Sequence, residues 1–314
     1  MACVAISGGV GGAKLALGLS RVLNPDELTI IGNTGDDFEH LGLKICPDLD
    51  TVMYTLAELS NRELGWGQAG ESWQFLEALE RLGGESWFRL GDRDMATHIQ
   101  RTALLREGQT LSAVTASLCA ALGISHRIVP MSDDPVATRV KIAGGETLAF
   151  QHYFVRDRCK PEVTGFEFSG LAAAKPASGF LTALEGASAI VICPSNPFVS
   201  VDPVLQLPGI ERLLAQHPAP VIAVSPIIGG EAIKGPAAKM MAELGMPQTA
   251  LAVARHYQGR INGFVIDEAD AVMVSDIEAL GMKCLVTKTL MVSLEDRVQL
   301  AQDCLEFAAS IKTA

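Results

Sequence analysis

The chain has 314 residues, 48% of them hydrophobic and 19% charged, which supports a sizeable core and excludes global disorder. Lys and Arg number 25 against 36 Asp and Glu, and the formal charge of −11 argues against a nucleic-acid-binding face or a polybasic membrane patch. Phosphate chemistry stays open, because backbone N–H groups, a few local cations and Mg²⁺ hold anions in acidic proteins, and many of the 30 glycines stand beside Lys or Asp.

In chain order, Cys3 to Ile6 is a short apolar run that reads as a strand. It leads into Ser7-Gly8-Gly9-Val10-Gly11-Gly12-Ala13-Lys14 and then a helical pattern through Leu15, Leu17, Leu19, Val22 and Leu23. Glycines between a strand and a helix let the backbone approach an anion, while a tight strand–helix turn needs them equally. The loop is not a Walker A motif, since Leu15 stands where the Mg²⁺-binding Ser or Thr belongs. Nor is it a complete dinucleotide fingerprint, because Lys14 replaces the third glycine. Asn24-Pro25-Asp26 stops the helix, Leu28 to Ile31 reads as a second strand, and Gly32-Asn33-Thr34-Gly35-Asp36-Asp37 puts polar groups at its end.

Pro47-Asp48-Leu49-Asp50-Thr51 precedes an apolar helix. Asp50 stands where an N-cap is expected, and two carboxylates two residues apart could also orient Mg²⁺ or a substrate hydroxyl. From about Thr51 to Leu122 the pattern is helical without a convincing strand. Within it lie Trp66, Trp73 and Trp87, read as core or as a wall for a planar ring, and the charge-dense Arg89-Leu90-Gly91-Asp92-Arg93-Asp94. Ile128-Val129 leads to Pro130-Met131-Ser132-Asp133-Asp134-Pro135, and short strands with a Gly144-Gly145 hairpin fill about Thr138 to Ser169.

Strands then recur: Ala187 to Cys193 ending in Pro194-Ser195-Asn196-Pro197, and Pro220 to Val224 ending in Ser225-Pro226-Ile227-Ile228-Gly229-Gly230. Phe264 to Ile266 and Lys283 to Val286 add two more, with helical patterns at Ile210 to Ala215, Ala237 to Leu244 and Leu294 to Ile311. Lys234-Gly235-Pro236 brings a lysine and an N1-type proline ahead of the Ala237 helix. This alternation predicts an α/β, Rossmann-like doubly wound, mostly parallel sheet. We expect one such domain over 1–314, with a helical insertion at about 51–122 and a small β-rich cap at about 138–170. Functional loops then belong at the carboxyl ends of the strands.

The seven cysteines, without a CxxC pair, read as buried free thiols of a reducing cytoplasm. No run approaches the roughly 18 apolar residues of a membrane span, and no charged leader precedes Cys3. The six histidines show no metal-ligand spacing, so zinc is not expected.

Taken together and in this order, Ser7-Gly8-Gly9-x-Gly11, Asn33-Thr34, Pro47 to Thr51, Leu90 to Asp94, Pro130 to Pro135, Pro194 to Pro197, Ser225 to Gly229 and Gly235-Pro236-Ala237 resemble the 2-phospho-L-lactate transferase family of coenzyme F420 biosynthesis. The resemblance implies an Mg²⁺-dependent transferase that moves a phospho-acid moiety from a guanylylated donor to the ribityl hydroxyl of the deazaflavin Fo and releases GMP. Phospholactate, phosphoenolpyruvate and phosphoglycerate are the acids it allows. It further implies catalytic roles for Asp50 and Arg93, with Asp50, Arg89, Asp92 and Arg93 meeting Fo. Nucleotide and phosphate would fall to Gly8, Gly9, Gly11, Lys14, Asn33, Thr34, Ser195, Asn196, Ser225 and Gly229, and Mg²⁺ to Asp48 and Asp50. A homodimer is expected on the same ground, with no nucleic-acid or membrane partner. In the opening loop Val10, Gly12 and Ala13 depart from the Thr and Pro of archaeal members, which removes a hydroxyl but keeps backbone contacts. The alternative is a UDP-sugar-binding regulatory protein of the same superfamily.

Overall fold

Cys3–Ser7 (β1) is an unbroken run in which every residue is buried, as a strand covered on both faces requires. The structure, a computed structural model, describes residues 2–61, 65–233 and 235–311, so Lys234 lies outside the described residues. After β1 come α1 (Gly9–Val22), β2 (Leu28–Gly32), a hairpin of β3 (Phe38–His40) and β4 (Leu43–Ile45), and α2 (Pro47–Leu56). Helices α3 (Gln74–Arg81), α4 (Asp92–Arg106) and α5 (Leu111–Ala121) lead to β5 (Arg127–Pro130). A three-stranded antiparallel sheet follows, β6 (Ala137–Ile142), β7 (Thr147–Ala149) and β8 (Val163–Ser169), in the order β7-β6-β8. The rest alternates: α6 (Ser178–Glu185), β9 (Ala189–Ile192), α7 (Asp202–Leu205), α8 (Ile210–Ala215), β10 (Val221–Val224), the tiny pair β11 (Ile227–Ile228) and β12 (Glu231–Ala232), and α9 (Ala237–Glu243). It closes with α10 (Ala250–His256), β13 (Gly263–Ile266), α11 (Val274–Glu278), β14 (Lys283–Val286) and α12 (Leu294–Ser310).

Seven strands form one parallel sheet in the order β14-β13-β10-β9-β1-β2-β5. The chain builds outward from β1 through β2 to β5, then returns to the other side of β1 at β9 and builds outward again. The order therefore reverses between β1 and β9, which is where an open α/β sheet binds ligands, outside the carboxyl ends of its strands. The doubly wound sheet with helical and β-rich insertions is thus present as the sequence predicted.

Side chains alternate between two cores. On one face Ala5, Ile30 and Val191 meet Leu15 and Leu19 of α1, Leu49 and Val52 of α2, Val114 of α5 and Leu300 of α12. On the other, Ile6, Ile31 and Ile192 meet Val140 of β6, Phe180 of α6 and Met240 of α9. Each fully buried Leu or Ile contributes roughly 2 kcal/mol, so the two layers dominate stability. Helix α12 packs on α1 at Gly18, where a Cβ would come within 2.0 Å of the Arg297 carbonyl oxygen.

Two details differ from expectation. Helix α2 starts at Pro47 with Cys46 as its N-cap, so Asp50 sits inside the first turn rather than capping it; Pro at N1 set the start earlier. The β3–β4 hairpin was not foreseen. The Gly144-Gly145 hairpin is as predicted, both glycines having positive φ (92° and 88°), the backbone that such tight turns demand. All seven cysteines are free thiols, five of them buried, with Cys159 and Cys284 partly exposed.

Candidate active site

The loops that follow β10, β9, β1 and β2, four adjacent strands, carry the residues read from sequence as phosphate- and nucleotide-binding, apart from Gly9, Gly11 and Lys14 on α1. Gly9 has φ +62° and its N–H donates to Asp48 Oδ1 at 2.7 Å. The Ser195 hydroxyl donates to the Gly8 carbonyl (2.8 Å) and accepts from the Gly8 N–H (3.2 Å). A Cβ at Gly11 would lie 2.3 Å from the Pro194 carbonyl oxygen, so the β1 and β9 loops touch backbone to backbone. Asn196 caps the following turn by accepting from Phe198 N–H. Asn33 stitches three loops: its amide donates to Asp48 Oδ2 (2.9 Å) and to the Val199 carbonyl (3.4 Å), and its carbonyl accepts from Gly35 N–H (2.8 Å). Thr34 is buried beside it. Ser225 closes a turn on Ile227, and Gly229 N–H donates to Asp270. Lys14 reaches the other way, its Nζ donating to the Met291 carbonyl at 2.9 Å.

Three buried carboxylates, Asp36, Asp37 and Asp48, gather behind these loops. Burial pushes Asp48 up to about 6 against the pull of the hydrogen bonds from Asn33 and Gly9. Burial, then the charges of Asp48 and Asp37, raise Asp36 well above the usual carboxylate range. Burial also raises Asp37, which Lys44 (3.1 Å) and the Cys46 thiol (3.0 Å) partly offset. Among the described residues Asp36 Oδ1 and Asp37 Oδ1 have no hydrogen-bond partner. Sequence reasoning quoted Asp36 and Asp37 only as polar loop residues; their clustering with Asp48 follows from the hairpin that turns the chain back.

Asp48 and Asp50, expected to hold Mg²⁺ together, contact different groups. Two residues apart on a helix they face different sides, and Asp50 turns away to α4. There the Arg101 guanidinium forks onto both its oxygens, Nη2 on Oδ1 and Nη1 on Oδ2 at 3.1 Å. Arg101 Nη1 also lies 3.2 Å from His98 Nδ1. On the other side of the ring, His98 Nε2 lies 3.2 Å from Asp94 Oδ2. Tyr54 donates to the other Asp94 oxygen at 2.6 Å. Asp94 stays below the usual carboxylate value: burial opposes its charge, but His98 and the Tyr54 hydrogen bond outweigh it. Donor atoms of Asp50, Asp94 and His98 lie within 4.8 Å of one another. In this group the Arg101 guanidinium already pairs with Asp50, while the charges of Asp36 and Asp48 act on each other, a second set of the hard oxygen ligands that a cation such as Mg²⁺ takes. Sequence reasoning missed Arg101 and His98. The legible signal was the spacing of Asp94, His98 and Arg101, one stripe along α4.

At the outer end of α4 the motif from Arg89 to Asp94 forms a reciprocal cap. Asp92 accepts from Ser72 Oγ (2.6 Å) and from the Gln74 and Phe75 N–H groups that open α3, and the Ser72 hydroxyl chiefly holds its pKa down. Glu71 in return accepts from the Arg93 and Asp94 N–H groups that open α4. Arg93 and Arg89 are both exposed. The Arg93 guanidinium donates to the Ala69 carbonyl, and Arg89 lies 4.3 Å over the Trp73 ring, which Trp66 meets edge-on. The structure thus separates the residues expected to meet Fo into a buried anion, Asp50, and an exposed cationic corner.

Comparison with known proteins adds an independent line. Residues 3–290 match the family model described as 2-phospho-L-lactate transferase CofD. The chain is 44% identical to a phosphoenolpyruvate transferase of Streptomyces griseus, covering 99% of this chain and 100% of that one. It is 39% identical to a 2-phospho-L-lactate transferase of Methanosarcina mazei, covering 95% and 98%. A UPF0052-family crystal structure from Bacillus halodurans superposes with a TM-score of 0.62 at 14% identity over 96% of this chain and 98% of that one, a likeness of fold. No helix among the described residues is long and apolar enough to cross a membrane.

Proposed function

The chain belongs to the 2-phospho-L-lactate transferase CofD family and is a transferase, and from that premise we propose that it transfers a phospho-acid moiety, enolpyruvyl or lactyl in kind, from a guanosine-linked donor to the ribityl hydroxyl of Fo. The hydroxyl oxygen bonds the phosphorus of the phospho-acid and gives up its proton to solvent, the phosphoanhydride bond breaks, and GMP leaves with that bond's electron pair. The observation that carries this reading is the convergence, at one switch point, of backbone-lined loops on four adjacent strands with three buried carboxylates. The glycine turn that opens α1, beyond the Gly8 and Gly9 N–H groups already taken by Ser195 and Asp48, and the loops at Ser195 and Ser225 hold the diphosphate and guanosine. Asn33 fixes those loops against Asp48.

Asp36 and Asp48 offer Mg²⁺ hard oxygen ligands: both are buried, burial raises both above the usual carboxylate range, and one Asp36 oxygen has no hydrogen-bond partner among the described residues. When bound there, the ion supplies charge neutralisation for phosphoryl oxygens. Asp50 orients the acceptor hydroxyl, and Arg89 and Arg93 take up anionic charge at the open edge. A loose phosphoryl transition state asks for alignment more than for a strong base, which suits a carboxylate already paired with Arg101. We place the enzyme in the cytoplasm as a homodimer; light scattering that gives a monomer would remove the second statement.

The test is mass spectrometry of the product from Fo, Mg²⁺, GTP, the upstream guanylyltransferase and each candidate acid. GMP release with a phospho-acid adduct of Fo is expected. No GMP release with any acid, or retention of a UDP-sugar instead of Fo and GDP, would overturn the proposal.

A further inference from the structure

Arg101 is the largest fully buried side chain in the described structure, with 0% of its surface exposed. A buried cation is costly unless it is paired, and replacing a buried ion pair by apolar groups of similar volume is often neutral or stabilising. Joining α2 to α4 therefore does not by itself call for this pair. Its geometry points elsewhere. Both terminal nitrogens sit on Asp50, one on each carboxylate oxygen, so the carboxylate plane is fixed in rotation as well as in place. Behind the guanidinium, His98 Nδ1 at 3.2 Å and the Lys44 carbonyl at 3.4 Å hold Nη1. His98 is braced by Asp94, and Asp94 by Tyr54 and, through its backbone N–H, by Glu71. The same α4 begins at Asp92 and Arg93, so one rigid helix carries the exposed cationic corner at its start and the Asp50 clamp near its end.

We propose that Arg101 is a positioning residue: its fork sets the direction in which Asp50 presents its remaining lone pairs to the acceptor hydroxyl, and keeps that direction in register with Arg93. This rests on the reading of Asp50 as the acceptor contact. Lysine cannot reproduce the effect, because a single ammonium reaches one oxygen at a time and leaves the carboxylate free to rotate.

The experiment compares Arg101→Lys, Arg101→Met, Arg101→Ala, Asp50→Asn and the double variant Arg101→Met/Asp50→Asn, each as full-length enzyme. The readouts are kcat, KM for Fo, KM for the guanylylated donor and the thermal midpoint. Arg101→Lys is expected to fold, to keep its donor KM and to lose roughly 100-fold in turnover, the cost of a misaligned reacting group. Millimolar guanidinium, far below denaturing levels, is expected to restore part of the turnover of Arg101→Ala without raising its thermal midpoint. The double variant is expected to be no slower than Asp50→Asn, because the two side chains act as one unit. Arg101→Lys keeps the buried charge, so it decides the matter even where Arg101→Met does not fold. Wild-type turnover in Arg101→Lys with a lowered thermal midpoint would make Arg101 structural and overturn this inference alone. Wild-type turnover in Asp50→Asn would instead overturn the reading of Asp50.

Discussion

Two buried acidic regions of the molecule handle charge in opposite ways. Around β1 and β2, Asp36 and Asp48 are buried with hydrogen-bond donors but with no ion-pair partner among the described residues, and their pKa values rise. Between α2 and α4, Asp50 and Asp94 are buried with Arg101, His98 and Tyr54, and Asp94 falls below its usual value. Similar residue types at similar depth thus give one cluster in which only Asp37 has a cation, Lys44, and one whose two carboxylates both have basic partners. The difference teaches that a buried carboxylate signals a ligand only where the chain has left its charge uncompensated.

The largest effect expected is in the region between α2 and α4. Removing the cation alone, by Arg101→Met, strands a buried anion and should cost about 3–5 kcal/mol in urea unfolding at pH 7. The Arg101→Met/Asp50→Asn variant should recover most of that loss, and equal instability of the two would break the contrast. Next comes the region around β1 and β2. Asp48 has a folded pKa of about 6 against an ordinary 3.8. Its contribution to stability is therefore fully present below about pH 4 and is lost as pH rises through 6. Asp48→Asn should consequently gain on wild type, in the absence of metal, by up to about 3 kcal/mol between pH 4 and pH 7; a constant difference across that range would count against the burial argument.

Mg²⁺ should raise the unfolding free energy of wild type, measured in urea at pH 7.5, by about 2.7 kcal/mol at a hundredfold excess over Kd. The gain should vanish in Asp36→Asn and persist in Asp94→Asn; the reverse pattern would move the metal to the α4 cluster. The smallest change is Tyr54→Phe, which removes one donor to Asp94 and should cost roughly 1–2 kcal/mol by thermal or urea unfolding.

Much of this was legible from residues alone. Strands β1, β2, β9 and β10 are continuous apolar runs bounded by Gly, Pro or Asn, a pattern that fixes both the strand and the loop after it. The short β3–β4 hairpin escaped because three-residue strands carry no period, and its Leu41-Gly42 turn, with φ 54° and 72°, puts a Leu where Asn, Asp or Gly is usual. Asp50 was legible as a candidate, but its partner stands 51 positions away on α4 and only the folded chain brings them together. Asp92 shows the limit of a motif: its carboxylate caps α3, a use that the charge density of the segment does not distinguish from ligand binding.

The placement of β1 at the centre of the sheet also has a consequence for synthesis. Cys3 pairs with Leu28 on one side and with Ala189 on the other. Only the first neighbour emerges from the ribosome promptly. At about 5–20 residues per second the second edge of β1 stays open for roughly ten seconds or more, a bare apolar strand that invites pairing with another chain. The switch-point cleft cannot assemble before β9 arrives, so the ends of the β1 and β9 loops meet late in translation, and α12, which packs on α1, is added last of all.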